Sequence, residues 1–205
     1  MAGILVLKEG KKVYEAYFNG CQEKSTIHVA SATKSIFSSL IGIAIEEGFI
    51  KSIDQKILDF FPEYKVPAGE ERLQQITIRH MLTMTTPYKC EMEPFQEVLT
   101  SDNWLEPALG LIGGKEPIGT FRYSPMIGTH ILSGVLHKAI GQSILAYAKE
   151  KLFEPLGITP LHDISLKSEA EHWAFLESKD ACGWVVDPQG NHAAAWGLTL
   201  SCIID

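Results

Sequence analysis

The chain reads as an α+β fold, with short N-terminal strands packed on a mainly helical body. Three observations predict this. β-prone runs at 3–8 and 12–18 flank Glu9-Gly10-Lys11, a hairpin signal. From Ser31 to roughly residue 180, apolar residues recur at helical spacing between glycine and proline stops. From Cys182 the texture changes to turn residues, as in Asp187-Pro188-Gln189-Gly190-Asn191. A lone two-stranded hairpin is marginal, so this architecture calls for more strands than the sequence offers. Ser201-Cys202-Ile203-Ile204-Asp205 reads as a chain cut inside an element. Residues 1–205 are therefore expected to form a single, incomplete domain, with the C-terminal strands of its sheet missing from this chain.

The elements follow in order. Gly20 closes the second strand. A helix then runs from Ser31 to about Glu47, because Phe37, Leu40, Ile41, Ala44 and Ile45 share a face and Gly48 supplies a stop. Ile53 to Phe61 predicts a short helix ended by Pro62, and Ile76 to Leu82 starts another with Thr77 as its N-cap. Residues 87–120 read as loop with weak helical patches. Ile131 to Ile140 forms a helix stopped at Gly141, and Ile144 to Phe153 another, stopped by Pro155 and Gly157.

Bulk properties narrow the function. The chain has 205 residues, 45% hydrophobic and 21% charged, enough to bury a substantial core. Its net charge of −7, with no basic stripe, argues against nucleic acid as a partner. No apolar run reaches membrane-spanning length, and the start Met1 to Leu7 lacks the basic region of a signal peptide. A cytoplasmic location is expected on that basis, with a secreted longer parent left open. Cys21, Cys90, Cys182 and Cys202 are scattered and read as reduced thiols; the seven histidines show no ligand spacing, so neither metal nor cofactor is expected.

The chemistry is concentrated in Ser31-Ala32-Thr33-Lys34. Residues three apart on a helix share a face, so the Lys34 amine can sit beside the Ser31 hydroxyl. A neutral amine would activate that hydroxyl. The helix N-terminus disfavours a cation by only about 0.3–1 kcal/mol, less than one pKa unit, so burial and hydrogen bonding must do the rest. Alone, Ser-x-x-Lys is common, and its ordinary reading is an N-capped amphipathic helix with a solvated lysine.

Other segments give it context. His28-Val29-Ala30-Ser31-Ala32-Thr33-Lys34-Ser35 is followed by Gly48 to Asp54 with Phe61-Pro62-Glu63. Then come Ile76-Thr77-Ile78-Arg79-His80-Met81-Leu82-Thr83-Met84-Thr85, Gly119-Thr120-Phe121-Arg122-Tyr123-Ser124 and Phe153-Glu154-Pro155-Leu156-Gly157-Ile158. In this order they resemble the serine β-lactamase and penicillin-binding-protein superfamily, in its class C-like branch of esterases, amidases and D-amino-peptidases. The resemblance spans about residues 3–205. It implies a β-lactamase/transpeptidase-like fold and a serine hydrolase in which Ser31 attacks a carbonyl while Lys34 and Tyr123 handle protons. Lys34 and Tyr123 would titrate as a coupled pair, and either could be the base. The Ser31 N–H would be one oxyanion-hole donor. Pro125 and His130 are expected on the substrate side.

Two departures stand out. The family usually has Asn where this chain has Pro125, which offers no amide donor. The late Lys-Thr-Gly or His-x-Gly motif is absent; Lys8-Glu9-Gly10 matches by letters only. Ser101-Asp102-Asn103 spells a motif of the class A enzymes, but reads better as a polar turn or helix cap. His28 reads as a loop or packing residue, and Trp184 and Trp196 as core. Two readings remain open beside the hydrolase: a degenerate domain that binds without turnover, and a fragment completed by another chain. With its late strands missing, the chain is expected to be feeble as an enzyme. It is also expected to self-associate through the exposed strand edge at 3–8 or 12–18.

Overall fold

In the structure, a computed structural model, residues 1–158 and 161–201 are described. The hairpin forms as the sequence predicts. Strand β1 (Gly3–Lys8) pairs antiparallel with β2 (Lys11–Tyr17), with a register shift between Val6 and Leu7. Glu9 and Gly10 turn it with φ of 52° and 74°, positive at both positions as a type I′ turn requires.

The body is helical. Helix α1 (Ala32–Glu46) buries Phe37, Leu40, Ile41 and Ala44, the predicted face. It ends where Gly48 takes a φ of +81°. Helix α2 (Ile78–Leu82) is held by a capping box: the Thr77 hydroxyl accepts the His80 N–H, and His80 Nδ1 accepts the Thr77 N–H at 3.1 Å. Short helices α3 (Phe95–Leu99) and α4 (Leu105–Gly110) are the weak patches of the loop-rich stretch. Helix α5 (Ile127–Ile140) runs through the centre, against α1, α2, α4 and the next helix, and every residue from Ile127 to Leu136 is buried. Helix α6 (Ile144–Ala148) continues through a π-turn at Lys149–Phe153 and stops at Gly157, which is left-handed. Ile53–Phe61 shortens to a single 3₁₀ turn, Ile57–Phe60.

Further elements do not announce themselves in the sequence. β3 (Thr26–His28) pairs antiparallel with β6 (Thr199–Ser201), and β4 (His162–Ile164) pairs in parallel with β5 (Gly183–Val185). Helix α7 (Glu169–Glu177) lies between β4 and β5 in the chain and packs against β3. Among the described residues the architecture is therefore helical with three two-stranded sheets. Cys202–Asp205, most of the stretch expected to be a cut element, lie outside the described residues.

None of the hairpin's residues joins the buried core, and Leu7, Val13 and Tyr14 stay exposed. Just beyond the hairpin the chain is tied to the segment after α7, where Lys179 Nζ donates to the Asn19 carbonyl at 2.7 Å. The Lys179 carbonyl in turn accepts the Thr26 N–H at 2.8 Å.

One close approach shapes the start of α5. Gly128 faces the hydroxyl of buried Tyr88, and a methyl group at residue 128 would overlap it. Burial also pushes the Tyr88 phenol up to about 12, so it stays neutral. Overpacking of this kind costs about 1–3 kcal/mol. Gly128→Ala is therefore expected to lower stability by that amount in urea melts; an unchanged midpoint would show that Tyr88 can move aside.

Candidate active site

Ser31 sits between a strand and a helix that are each pinned separately. Upstream, β3 is paired to β6, and the Val29 N–H donates to the Leu198 carbonyl at 3.0 Å. Downstream, α1 is anchored by its buried face. The turn between them is tight. Ala30 is forced to a φ of +46°, an arrangement that costs a non-glycine residue of order 1–3 kcal/mol and clusters at functional sites. The N–H groups of Ala32, Thr33 and Lys34 each bond three residues back, at 3.1 Å. Ser31 occupies the N-cap position, yet its hydroxyl makes no capping bond. It points elsewhere.

The Ser31 hydroxyl lies 3.1 Å from Lys34 Nζ and 3.1 Å from the Tyr123 phenol oxygen. Lys34 Nζ also donates to the Pro125 carbonyl at 2.8 Å and to the Ala195 carbonyl at 3.0 Å. Carbonyls can only accept. A neutral amine has two N–H groups and one lone pair. With both N–H groups committed to Pro125 and Ala195, the lone pair is left for the Ser31 proton. Burial is the main influence on Lys34 and holds its pKa below the usual lysine value, against the opposing pull of Tyr123. The Tyr123 phenol is also lowered, first by its hydrogen bond with Ser31 and then by the charge of Lys34. The serine is open to solvent, and a cleft of about 320 Å³ beside it is lined by Lys34, Met81, Met84, Tyr123, Thr129 and Leu132.

Tyr123 is held from outside its own segment. The Arg122 guanidinium donates to the carbonyls of Tyr88, Cys90 and Glu91. The Arg122 N–H donates to the Met84 carbonyl at 2.8 Å. On the other side, the Glu93 carboxylate accepts the Ser124 hydroxyl at 2.6 Å and the N–H groups of Met126 and Ile127 at 2.6 and 3.0 Å.

Ser31, Lys34 and Tyr123 are thus brought together, with the Pro125 backbone in contact. The Pro125 carbonyl, which any residue would offer, holds Lys34 and does not replace the missing side-chain amide. His130 is different. It does not reach the cleft, being buried in α5 against Trp104, with Nε2 3.4 Å from Asp187 Oδ2. Expected on the substrate side, His130 lies on the buried face of α5, away from the Ser31 cleft. Ser101-Asp102-Asn103 is a cap, as Asn103 Oδ1 accepts the N–H groups of Leu105 and Glu106 at 3.1 and 3.3 Å. His28 packs edge-on against Phe175 and Trp196, and its Nε2 accepts the Gly197 N–H at 3.3 Å. Trp184 is fully buried core. Trp196 is buried too, but one face lines a cavity of about 390 Å³ with Phe95, Leu99, Trp104, Leu166 and Trp173.

Sequence reasoning missed two groups, the Ala195 carbonyl and Glu93. The first carries no sequence signal, because every residue has a carbonyl. The second lies in the loop-rich stretch, remote in sequence from the helix it caps.

Comparison with known proteins identifies the family and the fold. The β-lactamase family model matches residues 2–203. The chain belongs to the β-lactamase family. None of the curated proteins matches. Among solved structures, the chain is similar to a Bacillus anthracis protein assigned as a 6-aminohexanoate-dimer hydrolase, with a TM-score of 0.70 and 19% identity over 98% of this chain and 50% of that one. It is also similar to an octameric penicillin-binding protein homologue from Pyrococcus abyssi, with a TM-score of 0.65 and 24% identity over 97% of this chain and 49% of that one. A penicillin-binding protein from Bacillus halodurans has a TM-score of 0.66 and 17% identity over 97% of this chain and 66% of that one. At these identities the likeness shows the fold, which is β-lactamase/transpeptidase-like. The chain spans about half the length of the first two structures. Among the described residues, no helix is long and apolar enough to cross a membrane.

Proposed function

We propose that the protein is a serine hydrolase that acts through an acyl-enzyme on Ser31. Its substrate would be a small ester, amide, β-lactam or D-alanyl peptide. The observation that carries the reading is the saturation of Lys34 Nζ: two carbonyl acceptors and one serine hydroxyl, all within 3.1 Å. An unaided serine is a weak nucleophile and needs an adjacent base. Lys34 takes the Ser31 proton as the oxygen attacks the substrate carbonyl. Tyr123, hydrogen-bonded to the same oxygen, is placed to relay a proton toward the leaving group. The Ser31 N–H, for which no acceptor is found among the described residues, is free to stabilise the oxyanion.

The aromatic cavity supports a substrate with an apolar portion. It adjoins a smaller one, lined by Tyr123 and Pro125, at the shared residue Phe95. Pro125, which supplies no side-chain amide beside Tyr123, keeps a second reading in play, a domain that binds such a ligand without turning it over.

Labelling with a fluorophosphonate, and separately with a labelled penicillin, tests the reading because it needs the acylation half-reaction alone. The adduct is expected on the tryptic peptide that contains Ser31. An unlabelled Ser31, in a folded protein that binds the penicillin reversibly, would favour the second reading. The pH dependence is a further check. Deprotonation of the Lys34–Tyr123 pair is needed to accept the serine proton, and both groups are shifted down. The labelling rate should therefore rise with pH and reach half its maximum below the ordinary value of about 10 for either side chain. A midpoint at or above 10 would show that burial does not prime Lys34.

A further inference from the structure

Glu93 is neither part of the nucleophile motif nor in contact with Ser31, yet its carboxylate makes three hydrogen bonds to the segment that carries Tyr123. It accepts from the Ser124 hydroxyl at 2.6 Å and from the N–H groups of Met126 and Ile127 at 2.6 and 3.0 Å. These partners bracket Pro125, whose carbonyl holds Lys34. Ser124 follows Tyr123 directly, and its oxygen also accepts the Gly128 N–H at 3.0 Å. A carboxylate at a helix N-terminus satisfies otherwise unpaired donors and complements the helix dipole. Here that carboxylate comes from a loop 33 residues upstream of Met126, so the cap also ties two separate segments together. Glu93 itself is half-buried behind Tyr123, beside Arg122 and Pro125.

From this arrangement we infer that Glu93 is the positioning residue that docks the Tyr123–Pro125 segment onto Lys34 and Ser31. The inference rests on the serine-hydrolase reading only for its kinetic consequence; the positioning itself can be observed without turnover.

Two effects of Glu93 on Tyr123 have opposite signs, and that makes the test decisive. As a charge, Glu93 pushes the Tyr123 phenol up, and this is the smallest of the influences on it. As a clamp, it keeps the phenol against Ser31 and Lys34, the groups that bring it down. If Glu93 acts as a clamp, Glu93→Ala frees the tyrosine and its titration moves up toward the ordinary value of about 10. If Glu93 acts through charge alone, the titration moves further down.

The experiment is a pH titration of ¹³C-tyrosine-labelled protein by NMR, with the Tyr123 signal assigned from Tyr123→Phe. The variants are Glu93→Ala, Glu93→Gln, Ser124→Ala and the exposed control Glu97→Ala. Fluorophosphonate labelling rates are measured alongside. The expected result is an upward shift for Glu93→Ala and a smaller one for Ser124→Ala. Glu93→Gln, whose amide oxygen can still accept the two N–H groups, should stay near the parent, and Glu97→Ala should be unchanged. Labelling should slow by roughly 10–100-fold in Glu93→Ala, the scale at which a small misplacement acts on catalysis. A downward or absent shift in Glu93→Ala overturns the proposal. If that variant does not fold, an absent shift in folded Ser124→Ala overturns it. A parent protein that never labels but shows the upward tyrosine shift on mutation overturns the acyl-enzyme reading and upholds the positioning role.

Discussion

Ser31→Ala is expected to abolish covalent labelling and to cut any ester turnover by at least 10³-fold, on the order of losing the nucleophile at other acyl-transfer sites. The structure makes this a clean experiment. The Ser31 hydroxyl does not cap α1, and among the described residues its side-chain partners are Lys34 and Tyr123 at the mouth of the cleft. Lys34 keeps its two carbonyl acceptors without it. Its removal should therefore leave stability within about 0.5 kcal/mol of the parent. Hydrolysis of a chromogenic short-chain ester, read together with a thermal melt, separates the two effects. Undiminished turnover in a folded Ser31→Ala protein would remove Ser31 from the mechanism.

Lys34→Arg should be the next most damaging change. It keeps the positive charge and removes the base, because a guanidinium does not lose its proton at any ordinary pH. It also fails sterically. The amine nitrogen is a single point that meets the Ser31 oxygen and the Pro125 and Ala195 carbonyls together. A planar fork is larger and spreads its donors apart, so it cannot reproduce that convergence in a half-buried space. A loss of 10²–10⁴-fold, the range of general-base groups, is the expected floor for acylation. The variant should still fold, since the guanidinium retains donors for the two carbonyls. Acylation at a tenth or more of the parent rate would mean that Lys34 contributes charge rather than basicity, and Tyr123 would then have to be the base.

Much of this site was legible in the sequence because its parts are local. Ser31 and Lys34 are one helical turn apart, and the face of α1 shows in Phe37, Leu40, Ile41 and Ala44. What stayed hidden is long-range or too short to carry a period. β3, β4, β5 and β6 have three residues each, which cannot display an alternation of two. α7 buries only Phe175, so it has no apolar stripe to find. Its start does carry a sign: the Ser168 hydroxyl accepts the Glu171 N–H at 3.2 Å, the serine-x-x-glutamate pattern of a helix N-terminus. The first turn of α5 is hidden because Gly128, Thr129 and His130 do not look like core, though all three are buried. Nothing in a linear pattern distinguishes a histidine facing a cleft from one facing Trp104 and Asp187.

The bond between Lys34 and the Ala195 carbonyl spans 161 residues of chain. On a ribosome, Ser31 and Lys34 emerge early and their helix can form at once. The acceptor that fixes one of the lysine's two N–H groups is made only near the end of this sequence. The strand that pins the turn before Ser31 waits as well, for residues 199–201. Contacts so distant in sequence close slowly, because loop-closure entropy is lost before the contact repays it. On the proposed mechanism, order of synthesis becomes order of activation: a nascent chain carries Ser31 and Lys34 long before the Ala195 carbonyl and strand β6 that fix them have emerged.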